Sequence, residues 1–369
     1  MTEKTHIKVL FIGFGNVGKK IADIILFEKN KFPGLKGLKI NIVGIITRSK
    51  GSLANQKGVN ISRALKEIKS MESFSTSNPD FCQMNGYRAT EELDYDVMVE
   101  LSTLSIEKKG EPSISYVEKS LTRGRHVVTA NKGPVAFAFQ MLKRLARENN
   151  VQFLCESTVM DGAPLFNLAR NNLRGCKITG LSGILNSTTN YILSRMEEGE
   201  SFNEALKTAQ EKGIAEAEIK NDIDGWDAAA KIVALSNVLM GADITPPDIF
   251  REGISKVTPE RIKNTLKRNK HLKLICHSEI EDGLVKASVR LEEISQDHPF
   301  ALVSGMGNIL RIETDLMGPI FITQENPTLY DTAYGVLEDM FTIQDQYLLN
   351  FRDISKPKKP PTFLPTSLI

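Results

Sequence analysis

Cysteine is scarce in this chain: four among 369 residues, at Cys82, Cys155, Cys176 and Cys276, with no CxxC pair. That spacing offers no disulfide framework and fits a reducing compartment. The five histidines form no HExxH or comparable pattern, so a transition-metal site is not expected. An excess of one charge is also lacking. The net charge of +2 gives no electrostatic case for nucleic acid or an anionic membrane as partner. No uncharged apolar run approaches the roughly 18 residues of a membrane span, and there is no internal repeat. The opening Met-Thr-Glu-Lys leads into an apolar run too short for a signal peptide. The expectation is a soluble, cytoplasmic protein, for which 41% hydrophobic and 25% charged residues are ordinary.

What is present is ordered into two patterns. Apolar runs at Ile7–Ile12, Ile40–Ile46, Asp96–Leu101, His126–Thr129 and Val151–Cys155 read as strands, with helices at Val17–Phe27 and Val135–Glu148. Strands alternating with helices predict an α/β fold, with a Rossmann-type, doubly wound parallel sheet over 1–153. From about 154 to 327 the pattern changes. Lys177–Leu185 and Leu284–Leu291 alternate as half-solvated strands do, with helices between them, which predicts an α+β domain with a mixed or antiparallel sheet. Ser201-x-x-Glu204 is a capping box for one of those helices. A helix from about 328 to 350 is expected to return to the first domain. The Lys- and Pro-rich tail, 356–369, is expected to be disordered.

Gly13-Phe14-Gly15-Asn16-Val17-Gly18 is GxGxxG placed between a strand and a helix, the context of a dinucleotide site. Gly13 permits the turn, Gly15 lets pyrophosphate approach, and Gly18 allows close packing, while the helix N-terminus faces the phosphates. An NAD-selective site carries an acid after the second strand, but here the residues are Thr47 and Arg48. Arg48, helped by Lys50 and Lys57, would meet a 2′-phosphate, so NADP is expected to be preferred over NAD. Ser102 and Thr103, after the strand Asp96–Leu101, are counted as cofactor contacts with them.

Lys132, in Ala130-Asn-Lys-Gly-Pro134, follows a strand end where ligands of such sheets lie, so it can meet both nicotinamide and substrate. Gly183-Ile-Leu-Asn-Ser-Thr-Thr-Asn190 also leaves a strand for a helix, and its polar groups can cap that helix or bind a carboxylate. The densest signal is Gly213–Lys231, with Glu216, Glu218, Asp222, Asp224 and Asp227 followed by Lys231. Such a run can hold an amino acid by its ammonium group. Asp227 and Lys231 are i and i+4, as an isolated surface pair worth about 0.2–0.5 kcal/mol. Ala228, Ile232 and Leu235 around them predict partial burial instead, where a lysine shifts its pKa readily.

With these motifs in this order, the chain from Ile7 to about Met340 resembles the homoserine dehydrogenases, in their short monofunctional form without a kinase or regulatory domain. The resemblance implies reversible NAD(P)H-dependent reduction of L-aspartate 4-semialdehyde to L-homoserine. It implies Glu216, Asp222, Asp227 and Thr188 as substrate contacts, with Asp227 at the substrate's oxygen end beside Lys231, and Lys132 and Lys231 as the two candidate proton-transfer lysines. It implies a monovalent cation such as Na⁺ on the main-chain oxygens of Glu156, Val159, Asp161 and Ala163, and a homodimer built through the second domain's sheet. Three positions depart from the family pattern: Ile214 for a common Tyr, Glu218-Ile219 for Asp-Pro, and Gln324–Asp331 for a glycine-rich run. The last should pack against the nucleotide domain and bear on cofactor affinity. Another Rossmann amino-acid dehydrogenase would explain the glycines but not the acid–lysine run. A catalytically silent NADP-sensing module would not need Lys132, Asp227 and Lys231.

Overall fold

The apolar run Ile7–Ile12, buried except at Lys8, forms β1 at the centre of a seven-stranded sheet. In the computed structural model, which describes residues 6–28, 31–215 and 219–351, this sheet also contains β2 (Ile40–Ile46), β3 (Ser52–Ala54), β4 (Phe81–Cys82), β5 (Val97–Glu100), β6 (His126–Thr129) and β7 (Phe153–Leu154). The order is β4-β3-β2-β1-β5-β6-β7. Strands β2, β1, β5, β6 and β7 are parallel, as predicted for a doubly wound sheet. Strands β3 and β4 are antiparallel additions at one edge. The cause is local. After β2, Thr47 Oγ1 donates to the Gly51 carbonyl (2.7 Å) and accepts from Lys50 N–H (2.9 Å), and Gly51 adopts φ +81°. That closed turn sends the chain back along β2.

Helices α1 (Asn16–Asp23), α2 (Ile61–Met71), α3 (Gly86–Glu92), α4 (Ser113–Thr122) and α5 (Lys132–Glu148) complete this domain. Asn60, Asn85 and Asn131 cap α2, α3 and α5 with their side chains. Helix α5 therefore begins at Lys132, three residues before the apolar periodicity suggests.

The second domain has a six-stranded sheet in the order β13-β12-β8-β10-β11-β9. Its strands are β8 (Ile178–Ile184), β9 (Phe250–Arg251), β10 (Lys270–Glu281), β11 (Leu284–Ser295), β12 (Asn308–Thr314) and β13 (Ile320–Gln324). All neighbours are antiparallel except β9 on β11, so the sheet is mixed. One face is covered by α6 (Leu165–Asn172), α7 (Ser187–Glu197), α8 (Phe202–Glu211), α9 (Lys220–Ile223), α10 (Trp226–Leu235) and α11 (Pro259–Leu266). The predicted capping box, Ser201 with Glu204, is formed at the start of α8.

Helix α12 (Leu329–Phe351) returns to the first domain. Its Ala333, Val336, Leu337, Met340 and Ile343 join the core of β1 and α1. Gly335 fits only without a side chain, since a Cβ there would lie 2.4 Å from Ser157 Oγ. Among the described residues, no helix is long and apolar enough to cross a membrane. The tail 356–369 lies outside the described residues.

Candidate active site

The chain order places a topological switch at β1, with β2 on one side and β5 on the other, and ligands of such sheets lie beyond the strand ends there. Three glycines form the turn at that point. Gly13 has φ +95°, and a Cβ would lie 2.7 Å from the Leu101 backbone. Around the Cβ direction of Gly15 nothing lies within 4 Å, so a phosphate can approach the backbone. Gly18 packs beneath Phe14, whose ring would be 3.1 Å from a Cβ. Asn16, Val17 and Gly18 open α1, with Gly15 as its N-cap. Arg48, exposed, and Lys50 stand at the end of β2 beside this turn, since Gly13 N–H bonds to the Ile46 carbonyl (2.8 Å).

Lys57 is not brought to them. Its carbonyl accepts from Asn41 Nδ2 (3.4 Å), at the opposite end of β2. The antiparallel turn of β3 carries Lys57 away from the strand ends, which corrects its place among the cofactor contacts. Ser102 and Thr103 do follow the end of β5, where Ser102 bonds to Glu100 through both N–H (2.9 Å) and hydroxyl. Glu100 is wholly buried, and burial pushes its carboxyl up to about 7 against those hydrogen bonds. Its apolar surroundings in the sequence hid it as one more strand position.

The second cluster forms where α5 meets α10. Ala136 packs on Ala230 and Val233, all fully buried, and these small side chains let the helices approach. Gln140 on α5 adds bonds to the carbonyls of Asn237 (2.9 Å) and Ala242 (2.7 Å). Helix α10 is set by Gly225, at φ +78°, where a Cβ would lie 2.3 Å from the Glu252 carbonyl. Arg251 stacks on Trp226 at 3.8 Å, pinning the first turn.

That packing brings Lys132, from the first domain, to Asp227 in the second. Lys132 Nζ is 3.3 Å from Asp227 Oδ1, and Lys231 Nζ is 2.9 Å from Asp227 Oδ2. Lys231 also donates to the Leu185 carbonyl (2.7 Å). Asn186 caps α7 with its oxygen, which accepts from Thr189 N–H (2.8 Å). Its nitrogen then donates to Asp222 Oδ1 (2.7 Å) and Asp227 Oδ2 (2.8 Å). The segment Gly183–Asn190 thus caps a helix, the first of the two roles its sequence left open, and its Asn186 also ties down the protein's own Asp222 and Asp227. Thr188 Oγ1 lies 3.4 Å from the Ile214 carbonyl, at the entrance of the acidic run. Glu216 and Glu218 lie outside the described residues. Asp224 stands apart, its carbonyl accepting from Arg251.

The electrostatics follow from this crowding. Burial alone would raise the Asp227 carboxyl, but the Lys231 and Lys132 charges outweigh it and hold the carboxyl well below the usual range. Burial alone would lower Lys231, but Asp227 outweighs it, with help from Asp161 and Asp222, and the ammonium is held above its ordinary value. Asp222 is pushed up by burial and by the Asp227 charge beside it. The lysine is therefore a charged hydrogen-bond donor at neutral pH, able to polarise a carbonyl oxygen and give it a proton.

The segment Glu156–Ala163 lies between this cluster and α12. Met160 and Asp161 have positive φ (52° and 54°), and a Cβ on Gly162 would lie 2.1 Å from the Asp331 carbonyl. Thr332 Oγ1 donates to Asp161 Oδ1 (2.8 Å). The atypical 324–331 stretch packs on α1, as expected. Lys20 Nζ lies 4.0 Å over the Tyr330 ring, and Tyr330 Oη donates to Glu28 Oε1 (3.0 Å).

The chain carrying these two clusters is similar to known proteins over most of its length. The NAD binding domain of homoserine dehydrogenase matches residues 13–156, and the homoserine dehydrogenase domain matches 164–341. An NAD(+)-dependent homoserine dehydrogenase of Pseudomonas canavaninivorans is 34% identical over 92% of this chain and 96% of its own. A homoserine dehydrogenase of Methanocaldococcus jannaschii is 36% identical over 91% and 98%. Among solved structures, a hyperthermophilic archaeal homoserine dehydrogenase in complex with NADPH superposes with a TM-score of 0.77 at 28% identity, covering 92% of this chain and 98% of its own. The first domain is thus a nicotinamide-dinucleotide-binding domain, and a chain alike to these relatives over nearly its full length belongs to the homoserine dehydrogenase family.

Proposed function

We propose that this protein catalyses the reversible reduction of L-aspartate 4-semialdehyde to L-homoserine with a nicotinamide dinucleotide. The observation that carries the reading is the Lys132–Asp227–Lys231 cluster at the junction of the two domains. The glycine turn Gly13–Gly18 would hold the dinucleotide, whose reduced nicotinamide would supply a hydride for the aldehyde carbon. Lys231 and Lys132 are the candidates to polarise the aldehyde oxygen and deliver the proton, with Asp227 orienting both. Asp222, Asp227 and Thr188 are proposed to hold the substrate, the carboxylates around its ammonium group. Glu216 joins them by the resemblance alone. Exposed Arg48, with no acid at Thr47, supports NADP over NAD, and Lys50 shares that turn.

A monovalent cation is proposed on the main-chain oxygens of Glu156, Val159, Asp161 and Ala163. The left-handed backbone at Met160 and Asp161 makes this segment a tight turn, and main-chain oxygens suit a hard cation. Ala163 already accepts from Leu165 N–H (2.8 Å), which leaves its oxygen a second lone pair. A homodimer through the second domain's sheet is supported by exposed Phe250 and Phe321, and by Leu302 in the loop capping that sheet. Four free cysteines support the cytoplasm as its compartment.

The test is initial-rate oxidation by purified protein of L-homoserine, L-serine and L-aspartate, each with NADP⁺ and with NAD⁺. Turnover of homoserine alone is expected. Turnover of aspartate, or cofactor binding with no turnover, overturns the reading.

A further inference from the structure

Glu100 ends β5, is wholly buried, and has no part in the chemistry assigned to the lysines. Both of its oxygens face donors. Oε1 accepts from Ser102 N–H (2.9 Å) and from the Ser102 hydroxyl, and Oε2 lies 3.3 Å from Thr129 Oγ1. The Thr129 proton is shared, since the Glu100 and Asn131 carbonyls also lie 3.3 Å away. Ser102 has Glu100 Oε1 as its acceptor, and this sets a direction. Having donated to Glu100, the Ser102 hydroxyl accepts from Asn131 Nδ2 (3.3 Å). Thr129 Oγ1 accepts from Asn131 N–H (3.0 Å). With its nitrogen turned to Ser102, Asn131 presents its oxygen to Gly133 N–H (2.8 Å) as the N-cap of α5. The residue between the cap and its donor is Lys132, whose ammonium reaches Asp227 Oδ1 at 3.3 Å.

We propose that Glu100 is a positioning residue: as an acceptor for Ser102, it fixes the Asn131 cap and so the reach of Lys132 to Asp227. This rests on the reading of Lys132 and Asp227 as part of the reaction site. The physical ground is polarity. A buried hydroxyl has one proton, and where it goes decides what the oxygen can accept. Remove the acceptor, and the Ser102 proton is free to turn toward Asn131, where it opposes Nδ2 and favours the flipped amide that takes the capping oxygen away from Gly133 N–H. Glutamine keeps an oxygen for Ser102, so Glu100→Gln should preserve the cap where Glu100→Ala does not.

The experiment is a double-mutant cycle between Glu100→Ala and Lys132→Ala on kcat for semialdehyde reduction. If Glu100 acts through Lys132, E100A lowers kcat about tenfold in the wild-type background but less than about twofold beside K132A. KM for the semialdehyde should hold within about twofold, and E100Q should retain most of kcat. Equal losses in both backgrounds, or an unchanged kcat in E100A, overturn the proposal. Should E100A not fold, Ser102→Ala removes the same link with a smaller cavity and carries the cycle. Acylation of Lys132 by an amine-reactive ester, followed by peptide mass spectrometry, reads the pairing without turnover. Faster acylation of Lys132 in E100A, with Lys231 unchanged, supports the proposal, and an unchanged Lys132 rate contradicts it. That readout holds even if the wild-type protein turns over no semialdehyde, a result that would sink the proposed reaction instead.

Discussion

Lys132 and Lys231 engage opposite oxygens of one carboxylate: Asp227 Oδ1 lies 3.3 Å from Lys132 Nζ, and Asp227 Oδ2 lies 2.9 Å from Lys231 Nζ. The first lysine opens α5 of the nucleotide domain and the second sits within α10 of the other domain. One half-buried carboxylate therefore holds two ammonium groups at the junction of the two domains, the place proposed for the reaction.

Replacing either lysine tests this arrangement. If one of them is the essential proton donor, its change to alanine should lower kcat by about 10²–10⁴, the usual worth of general acid–base assistance. A near-wild-type kcat in Lys231→Ala or Lys132→Ala excludes that residue as the donor.

The pH dependence of Asp227→Asn follows from the sign of each effect. In the wild-type protein Asp227 raises Lys231 against the lowering effect of burial. Without that charge, burial is opposed only by the smaller effects of Asp161 and Asp222, and the lysine should lose its proton at lower pH than in the wild-type protein. The limb of the homoserine-oxidation profile set by lysine deprotonation should move to lower pH, with kcat reduced. A limb that stays in place or moves up shows that Asp227 does not control Lys231.

Cofactor choice should depend on Arg48. Arg48→Glu is expected to weaken NADP⁺ by about tenfold or more, on the scale of one lost hydrogen bond to a charged group, and to affect NAD⁺ far less. Fluorescence titration of both cofactors reads this. Clearly tighter NAD⁺ binding by the wild-type protein contradicts the proposed preference. Lys57, at the far end of β2, is the control: Lys57→Ala should leave both affinities unchanged.

Stability should fall as pH rises, because of the carboxyls buried between α12 and the second domain. Asp339, pushed up by burial to about 8, accepts from Glu156 N–H (2.8 Å), and its Oδ1 has no hydrogen-bond partner among the described residues. Its folded value lies above its unfolded one. The stability linked to it is therefore full below the unfolded value of 3.8 and lost as pH rises through about 8. Asp339→Asn cannot ionise, so its Tm should fall less than the wild-type Tm between pH 6 and 9. Parallel curves for the two proteins would contradict this.

Much of this was legible from residue order. Ile7–Ile12 and the three glycines read as they fold, because a buried central strand and a phosphate-binding turn each tolerate few side chains. The pair Asp227 and Lys231 was legible from helical spacing. Lys132 reaching the same carboxylate was not, since only packing of Ala136 on Ala230 and Val233 brings the helices together. Nor was Glu100, whose meaning lies in the Ser102 and Asn131 bonds made across the strand ends. Strand β10 escaped for a different reason. Lys273 interrupts its apolar pattern yet is buried, held by Asn190 Oδ1 (3.2 Å) and the Val303 carbonyl (2.9 Å). A lysine satisfied by distant groups looks, in sequence, like one facing water.

The Asp227 cluster is proposed to carry out the proton side of an aldehyde reduction. The most direct measurement is NADPH consumption by the purified protein with L-aspartate 4-semialdehyde, with L-homoserine quantified in the same reaction. Equal amounts of NADPH consumed and homoserine formed, with both lost together in the Asp227→Ala, Lys132→Ala, Lys231→Ala triple variant while NADPH still binds, is the predicted result. NADPH binding to the wild-type protein with no homoserine formed, or unchanged turnover in that variant, would contradict it.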